Sequence, residues 1–392
     1  MAKVDTLEDA FLLVENGHVI AIGPKAMAPE ADRIISLENK EVIPGLVDSH
    51  THSVFAAPRE EEFVMRIKGA SYEEIAEAGG GILNSARKLR SATEDELFEA
   101  ALLRLRDMIR CGSTTIEIKS GYGLSVEGEL KMLRVIKRLK QALPITIKAT
   151  FLGAHAFPEA FKQRKDDYVE LVIKDMLSAI VAEDLADHVD VFCESGFFSP
   201  DQTARVLNAA KTFGLPAKIH GNQLGYSGGV QVAVAHEAWS VDHLEFTGPE
   251  EWQALADGFQ KPYGGTLPVA LPGVSYFLGL PYTRGREMID FGLPLVLATD
   301  FNPGSSPINS LQMVLSLACT QMKLVPEEAF HAVTVNAAAA LRINTQVGSL
   351  APGCQADFLI MKSKNALAMM PYFVGQNQVE SVYVKGQKFI FD

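Results

Sequence analysis

Two histidines, His50 and His52, are the residues of this chain best suited to do chemistry. They end the run VIPGLVDSHTH at residues 42–52, in which an apolar stretch broken by Pro44 and Gly45 leads into the pair. Side chains alternate between the faces of a strand, so both imidazoles can point toward one end of a sheet or barrel. Neutral imidazole is the commonest metal ligand in proteins, and such a pair supplies half of a four-coordinate site. Taken alone, two nearby histidines are structural or exposed about as often as they are ligands.

Other histidines and charged residues also follow short apolar runs. They are Glu117, Lys119, His155, Glu194, His220, Asp242, His243 and Asp300. Each of these residues alone is more often structural than functional. Together, at the ends of runs whose bodies stay apolar, they predict a metal-dependent site. Three imidazoles and one carboxylate suit Zn²⁺ or Fe²⁺, because Mg²⁺ and Ca²⁺ prefer shells of oxygen ligands.

A catalytic metal of this kind keeps one coordination position for water and brings the pKa of that water toward neutrality. Asp300 could then take a proton as general base and later pass it to a leaving nitrogen. His243 could polarise the substrate carbonyl or stabilise the developing oxyanion. These residue types therefore indicate hydrolysis of an amide-like or amidine-like C–N bond.

The elements that position these residues alternate between strand and helix. Apolar β-like runs occur near 46–51, 114–118, 146–152, 189–193, 216–220, 240–244, 266–271 and 294–299. The segments between them carry helix signals, such as the capping box of Thr93 and Glu96 and the Ser199-Pro200 start of another helix. Eight strands alternating with helices predict an α/β fold, a (β/α)8 TIM-like barrel, whose active site lies at the carboxyl ends of its strands. An open doubly wound sheet is the alternative, but no G-x-G-x-x-G motif follows the first strand.

The two ends of the chain predict a second, smaller domain. Residues 11–23 read as a hairpin around Asn16-Gly17, and residues 356–361 and 379–390 are also β-like. We therefore predict a small β-sandwich domain formed by residues 1–44 and 346–392, and a catalytic barrel over residues 45–345. The N-terminal part is short, and we expect a first strand of the small domain to be missing.

Composition limits the partners and the compartment. The 392 residues carry a net charge of -12, which argues against binding to nucleic acid or to an anionic membrane surface. We find no apolar run long enough to span a bilayer and no signal-peptide layout at the N-terminus. The four cysteines are far apart in sequence and predict buried thiols in a reducing compartment, with the cytoplasm as the default.

The run PGLVDSHTH, the strand-ending His220, Asp242-His243 and Thr299-Asp300 resemble the amidohydrolase superfamily. That resemblance implies a metal-bearing (β/α)8 barrel with a β-sandwich built from both termini. Glu194 stands at the end of the fourth strand, where binuclear members often carry a carboxylated lysine, so a mononuclear site is expected.

Within that superfamily the chain is similar to the imidazolonepropionase family over nearly its whole length. The shared motifs are GASYEEIAEAGGGI at 69–82, EIKSGYGL at 117–124, TFLGAH at 150–155, VDVFCE at 189–194, LPG at 271–273 and ATDFNPGS at 298–305. The resemblance implies hydrolysis of 4-imidazolone-5-propanoate to N-formimino-L-glutamate in histidine degradation, by a homodimer. It implies one divalent or trivalent metal ion, Zn or Fe, held by His50, His52, His220 and Asp300. It implies a small substrate with a carboxylate tail, contacted by Arg59, Tyr122, His155, His243, Asn302, Gly304 and Ser305.

Two positions depart from the family pattern. Relatives have an acidic residue two or three positions after the strand-five histidine, whereas the run here is His220-Gly-Asn-Gln223. Gln223 can hydrogen-bond the substrate ring but cannot shuttle a proton, which leaves proton transfer to Asp300 and His243. Arg59 follows Ala57-Pro58 where the family usually has Gly-Asp. The substrate carries a propanoate, for which the planar guanidinium of Arg59 is a suitable partner.

Further alternatives stay open. The chain could be another hydrolase of the superfamily, such as a nucleobase or triazine aminohydrolase, although those enzymes typically need a glutamate at the place of Gln223. A non-enzymatic barrel scaffold is less favoured, because all four candidate metal ligands are present.

The glycines at 79–81 could form a mobile flap or a tight helix connection, and the loop of Asn302 to Ser305 could cap the next helix instead of contacting a ligand.

Overall fold

The computed structural model describes residues 3–37, 39–70, 74 and 79–391, so the middle of the motif at 69–82 lies outside the described residues. The strands are β1 Ala10–Glu15, β2 His18–Pro24, β3 Val42–Pro44, β4 Leu46–Asp48, β5 Ser113–Lys119, β6 Thr146–Ala154, β7 His188–Cys193, β8 Ala217–Gly221, β9 Ser240–His243, β10 Leu267–Ala270, β11 Val296–Leu297, β12 Phe358–Met361, β13 Val379–Val384 and β14 Gln387–Lys388.

The helices alternate with the barrel strands. They are α1 Glu60–Ile67, α2 Gly81–Ser91, α3 Glu94–Arg110, α4 Val126–Ala142, α5 Lys165–Leu171, α6 Leu177–Ala182, α7 Pro200–Thr212, α8 Gly229–Ala235, α9 Pro249–Phe259, α10 Pro272–Leu278, α11 Gly285–Asp290, α12 Leu311–Gln321, α13 Pro326–Ala332, α14 Val335–Ala340 and α15 Ala366–Tyr372. A π-helical turn, Val172–Met176, joins α5 to α6, and two short 3-10 turns lie at Lys25–Met27 and Glu159–Phe161.

Strands β4 to β11 form one parallel eight-stranded sheet in chain order. The sheet closes just beyond its first and last strands, where Thr51 pairs with Phe301 and the amide of Asp300 donates to the carbonyl of His50 at 3.0 Å. The carboxylate of Asp48 tightens this seam by accepting the amide of Thr299 at 3.1 Å and its hydroxyl at 2.6 Å. The predicted (β/α)8 barrel is therefore confirmed, and the open doubly wound sheet is excluded.

Local sequence signals set the helix ends. Thr93 and Glu96 form the expected capping box at the start of α3, and Ser199 and Gln202 form another at the start of α7. Side-chain caps of this kind satisfy amides that have no partner within the helix. In the glycine run, Gly81 begins α2 and its amide donates to the Glu62 carboxylate at 2.9 Å. The described part of this run therefore forms a helix connection.

Strands from both ends of the chain form two antiparallel sheets beside the barrel. One is the predicted hairpin β1–β2, turned by Asn16 at φ 50° and Gly17 at φ 79°. The other sheet has the strand order β14-β13-β12-β3. The amide of Val19 in the hairpin donates to the carbonyl of Cys354, which precedes β12, at 2.9 Å. The β-structure contributed by both termini is confirmed, while the exact division at residues 44/45 and 345/346 stays a prediction.

The four cysteines form no disulfide with one another, as expected. Cys193 and Cys354 are buried, but Cys111 and Cys319 are only half-buried, so the prediction of buried thiols is wrong for these two. Both lie in helical surroundings near the outer layer rather than in the barrel. Among the described residues, no helix combines the length and the apolar character needed to cross a membrane.

Candidate active site

The four residues predicted to bind metal lie together at the carboxyl ends of the barrel strands. His50 and His52 follow β4, His220 lies within β8, and Asp300 follows β11. Oδ1 of Asp300 is 3.3 Å from Nε2 of His50 and 3.4 Å from Nε2 of His52. Nε2 of His52 is 3.4 Å from Nε2 of His220. All four residues are no more than 2% exposed.

These separations suit a shared ion. Ligands about 2.1 Å from a tetrahedral metal lie about 3.4 Å from one another. Potential ligand atoms form two overlapping groups, one of His50, His52 and Asp300 and one of His50, His220 and His243. Nε2 of His50 and Oδ1 of Asp300 are buried and make no hydrogen bond to any residue within the described ranges. The donor set therefore fits a metal ion of the zinc or iron class.

The protonation states also favour metal binding. Burial lowers the pKa of His50 and His52 well below the usual value, and it lowers the pKa of His220 to about 3. The three rings are therefore neutral near pH 7 and present lone pairs. Burial also raises the pKa of Asp300 to about 7, although His243 and Asn302 oppose that shift.

Buried carboxylates hold two of the histidines by their second ring nitrogen. Nδ1 of His50 is 2.6 Å from Oδ2 of Asp242, and Nδ1 of His220 is 3.0 Å from Oδ2 of Asp190. The hydrogen bond to Asp242 fixes the tautomer of His50, so that Nε2 is the nitrogen offered to a metal. Asp190 accepts the backbone amide of His220 at 3.1 Å and lies beside its Nδ1. Asp242 was noted in the sequence only as a strand-end residue, and Asp190 was not noted as a functional residue.

Two buried lysines neutralise these carboxylates inside the barrel. Nζ of Lys119 is 2.8 Å from both Glu117 and Asp190, and Nζ of Lys218 is 3.7 Å from Glu117 and 3.8 Å from Asp242. Burial alone would lower the pKa of Lys119, but Asp190 and Glu117 raise it above its usual value. Lys119 is therefore a charged component of the scaffold under the site, and Lys218 lies beside the same carboxylates.

The loop after β11 holds the second oxygen of Asp300. The Asn302 side-chain amide donates to Oδ2 of Asp300 at 2.9 Å, and Oδ1 of Asn302 accepts the amides of Gly304 and Ser305, both at 2.8 Å. The next helix, α12, begins at Leu311, so Asn302 organises its own loop and does not cap that helix.

Arg59 and Tyr122 extend the pocket away from the histidines. The Tyr122 ring lies 5.8 Å from the His52 ring and 5.9 Å from Cζ of Arg59. Nε of Arg59 donates to the Ser85 hydroxyl at 2.9 Å. A Cβ atom on Gly304 would lie 2.4 Å from a guanidinium nitrogen of Arg59. The structure therefore brings Arg59, Tyr122 and Gly304 together, as predicted.

His155 joins the same pocket from β6. Its ring stacks on His52 with centroids 5.4 Å apart, and its Nδ1 is 3.0 Å from the Gly121 carbonyl. Burial lowers the pKa of His155 to about 4, so the neutral ring donates through Nδ1 and offers Nε2 as an acceptor. Gly121 is required here, because its φ is 107° and a Cβ atom would lie 2.8 Å from the His155 ring.

Two glutamates shape loops that carry predicted site residues. Glu129, on α4, accepts the amides of Gly121, Gly123 and Leu124 at 2.8 to 2.9 Å, which fixes the loop of Tyr122. Glu194 accepts the amides of Gln223 and Leu224, both at 3.0 Å. Gln223 is half-buried at the edge of the site. Sequence reasoning missed Glu129, because only the folded loop shows which amides it satisfies.

Some of the strand ends that carry the site have a strained backbone. Positive φ angles occur at Asn222 (56°), His243 (88°), Leu244 (68°) and Asp300 (50°), none of which is glycine. Conformations of this kind cost about 1–3 kcal/mol each and persist where the surrounding structure enforces them. Two of these strained residues, His243 and Asp300, are the ones expected to polarise the substrate carbonyl and to transfer a proton.

His243 has a carboxylate neighbour that the sequence did not reveal. Its Nδ1 is 3.5 Å from Oε1 of Glu245, and both side chains are almost fully buried. Burial alone would lower the pKa of His243, but Glu245 and Asp300 raise it above its usual value. Glu245 follows the strand-end residue His243 by two positions, and that spacing was the signal from which the sequence could have suggested the contact.

A (β/α)8 barrel whose strand ends converge on three neutral imidazoles and a carboxylate is the framework of a metal-dependent hydrolase. The model of the amidohydrolase family matches residues 42–259 and 283–388 of this chain. An imidazolonepropionase from Flavobacterium johnsoniae is 49% identical over 389 residues, which cover 99% of this chain and 93% of the relative. Another from Geobacillus kaustophilus is 43% identical over 397 residues, with 100% and 92% covered.

Solved structures agree on the fold. The 5-methylcytosine deaminase from Klebsiella pneumoniae aligns with a TM-score of 0.75 at 18% identity, covering 97% of this chain and 93% of that one. Guanine deaminase from C. acetobutylicum aligns with a TM-score of 0.73 at 16% identity, covering 99% and 96%. The chain therefore belongs to the amidohydrolase family and, within it, to the imidazolonepropionases.

The ligand assignment predicts the effect of removing one imidazole. His220→Ala should lose most of its bound metal and essentially all activity, because the ion would then lack one of its four protein ligands. Elemental analysis of protein purified without chelators measures the metal, and His18→Ala, which changes an exposed hairpin histidine, is the matched control. A full equivalent of metal in the His220→Ala variant would refute the assignment.

Proposed function

We propose that this chain hydrolyses the ring C–N bond of 4-imidazolone-5-propanoate to give N-formimino-L-glutamate, using the residues of the pocket described above. The observation that carries this proposal is the place of Arg59. Its guanidinium lies beside the Tyr122 ring, which in turn lies beside His52. A cation one aromatic ring away from the metal ligands suits a small ring that carries a carboxylate tail.

His50, His52, His220 and Asp300 would hold one ion, which we propose to be Zn or Fe. When bound, that ion makes water a nucleophile at neutral pH. Buried Asp242 keeps His50 in the tautomer that presents Nε2, and the Asp190 carboxylate lies 3.0 Å from Nδ1 of His220.

Asp300 is the proposed proton carrier. Its Oδ2 is held by the Asn302 amide while Oδ1 faces His50 and His52. In this position the carboxylate can accept a proton from water and return it to the departing ring nitrogen. His243 would hydrogen-bond the substrate carbonyl oxygen, where negative charge develops. Gln223 would hydrogen-bond the ring without exchanging a proton.

Residues on the other side of the site would recognise the substrate. Arg59 would pair with the propanoate, with Tyr122 and His155 against the ring and Asn302, Gly304 and Ser305 lining the remaining wall. Gly304 is suited to this place because any side chain there would meet the Arg59 guanidinium.

We further propose, from the family resemblance, that two copies of the chain form a homodimer and that the enzyme acts in the cytoplasm. The four cysteines, which form no disulfides among themselves, are compatible with a reducing compartment.

The reaction itself is tested by comparing substrates. Metal-loaded protein should convert 4-imidazolone-5-propanoate and leave guanine, cytosine and triazines unchanged, because Gln223 supplies no acid to protonate the rings of those substrates. Product formation is followed as release of N-formimino-L-glutamate. Faster turnover of a nucleobase would favour the aminohydrolase alternative, and inertness toward all substrates would favour the scaffold.

Recognition of the carboxylate predicts a specific loss in Arg59→Lys. The charge remains, but the planar fork that binds a carboxylate through two hydrogen bonds is lost. We expect kcat/KM to fall about tenfold or more, since a charge-assisted hydrogen bond contributes about 1.5–3 kcal/mol.

Two controls accompany this measurement. Arg87→Lys, on the neighbouring helix α2, should retain normal kinetics because the Arg87 side chain is exposed and bonds the Gly79 carbonyl, away from the site. An esterified substrate should be poor for the wild-type enzyme and insensitive to Arg59→Lys. Unchanged kinetics of Arg59→Lys toward the natural carboxylate would show that Arg59 does not bind it.

A further inference from the structure

Glu245 is a buried carboxylate to which the proposed mechanism gives no task. Its side chain is 0% exposed. Neither of its oxygens makes a hydrogen bond to any residue in the described parts of the chain. A buried ionised group is costly unless it is paired and hydrogen-bonded, so a fold that retains one has a partner for it.

The group that faces Glu245 is the imidazole of His243. Nδ1 of His243 lies 3.5 Å from Oε1 of Glu245. This nitrogen is also buried and without a hydrogen bond to the residues that the structure describes. A movement of about 0.5 Å would bring the two atoms to hydrogen-bond distance. Contacts between catalytic groups commonly shorten in this way when a substrate binds.

The backbone holds the two side chains in this relation. His243 and Leu244 both have positive φ angles, of 88° and 68°. The loop is fastened to the end of β8, where the Leu244 amide donates to the Gly221 carbonyl at 3.3 Å and the Phe246 amide donates to the Asn222 carbonyl at 2.9 Å. The strained turn therefore places Glu245 beside His243 instead of letting it reach solvent.

Other buried glutamates in this region have a visible structural task. Glu251 accepts the amide of Gly248 at 2.9 Å at the start of α9, and Glu194 accepts the amides of Gln223 and Leu224. Glu129 accepts three loop amides. Glu245 accepts no amide hydrogen bond from the described residues, so a helix-capping or loop-fixing role does not explain it.

We propose that Glu245 is a positioning residue that accepts a hydrogen bond from Nδ1–H of His243 and so turns Nε2 of that ring toward the substrate. This inference rests on the proposed role of His243 in binding the substrate carbonyl. Glu245 itself touches neither the substrate nor the metal ligands. The pair resembles in principle the carboxylate–imidazole couples that orient a catalytic histidine in other hydrolases.

The test is a double-mutant cycle of Glu245→Gln and His243→Ala, with Glu251→Gln as the control for loss of a buried carboxylate next to the same loop. Glu245→Gln should lower kcat about 10- to 100-fold with nearly unchanged KM and a full equivalent of metal. In the His243→Ala background the same substitution should have less than about a twofold effect, because its target is gone.

Stability separates positioning from a structural role. Glutamine nearly preserves the shape of Glu245 and relieves the desolvation cost of a buried carboxylate, so the Tm of Glu245→Gln should stay the same or rise. Glu251→Gln should keep wild-type kcat. A fall in kcat together with an unchanged or higher Tm supports positioning.

Three outcomes would overturn the inference. One is wild-type kcat in Glu245→Gln while His243→Ala is inactive, which leaves the proposed function intact. Another is an equal loss from Glu245→Gln with and without His243, which means that Glu245 acts elsewhere. The third is wild-type kcat in His243→Ala, which would remove the proposed role of His243 itself and therefore the reason for positioning it.

Discussion

Compensation of buried charge is the constraint on which the rest of this structure depends. Five charged side chains lie almost wholly buried within the barrel beneath the site: Glu117, Lys119, Asp190, Lys218 and Asp242. Three carboxylates face two ammonium groups. Removing one partner of a buried pair typically costs about 3–5 kcal/mol, because the other charge stays behind without compensation. A cation bound to the imidazoles directly above this cluster would offset its remaining negative charge.

The cluster also determines how the ligands are presented. Asp242 and Asp190 hold Nδ1 of His50 and His220, and Lys119 lies between them, 2.8 Å from Asp190 and 3.7 Å from Asp242. Because the lysine is fixed by the same carboxylates that orient the rings, charge balance and ligand geometry depend on each other. Above this layer the loops after β5, β8, β9 and β11 carry side chains to which we assign roles toward the substrate.

The sequence was sufficient to predict the barrel and to bring the four proposed metal ligands to one end of it. Strand ends can be located from apolar runs, and in a parallel barrel they all meet at one face, so His50, His52, His220 and Asp300 could be brought together without a structure. Helix starts at Thr93 and Ser199 were equally predictable, since capping depends on neighbouring residues.

What the sequence could not supply was the pairing between strands and the shape of single turns. Nothing local shows that His50 faces Asp242, nearly two hundred residues later in the chain, or that Glu129 accepts the amides of the Tyr122 loop. The positive φ angle of His243 could not be predicted from the sequence either, since the residue is not a glycine. Glu245 was therefore overlooked, because its relation to His243 depends on that turn.

The number of metal ions that activity requires is the most direct test of the site. Protein stripped with a chelator should be inactive toward 4-imidazolone-5-propanoate, and stepwise return of Zn²⁺ or Fe²⁺ should restore activity linearly up to one equivalent per chain, with a sharp end point. Four ligands from three strand ends provide for a single ion. Full activity of the stripped protein, or an end point at two equivalents, would contradict a mononuclear site at His50, His52, His220 and Asp300.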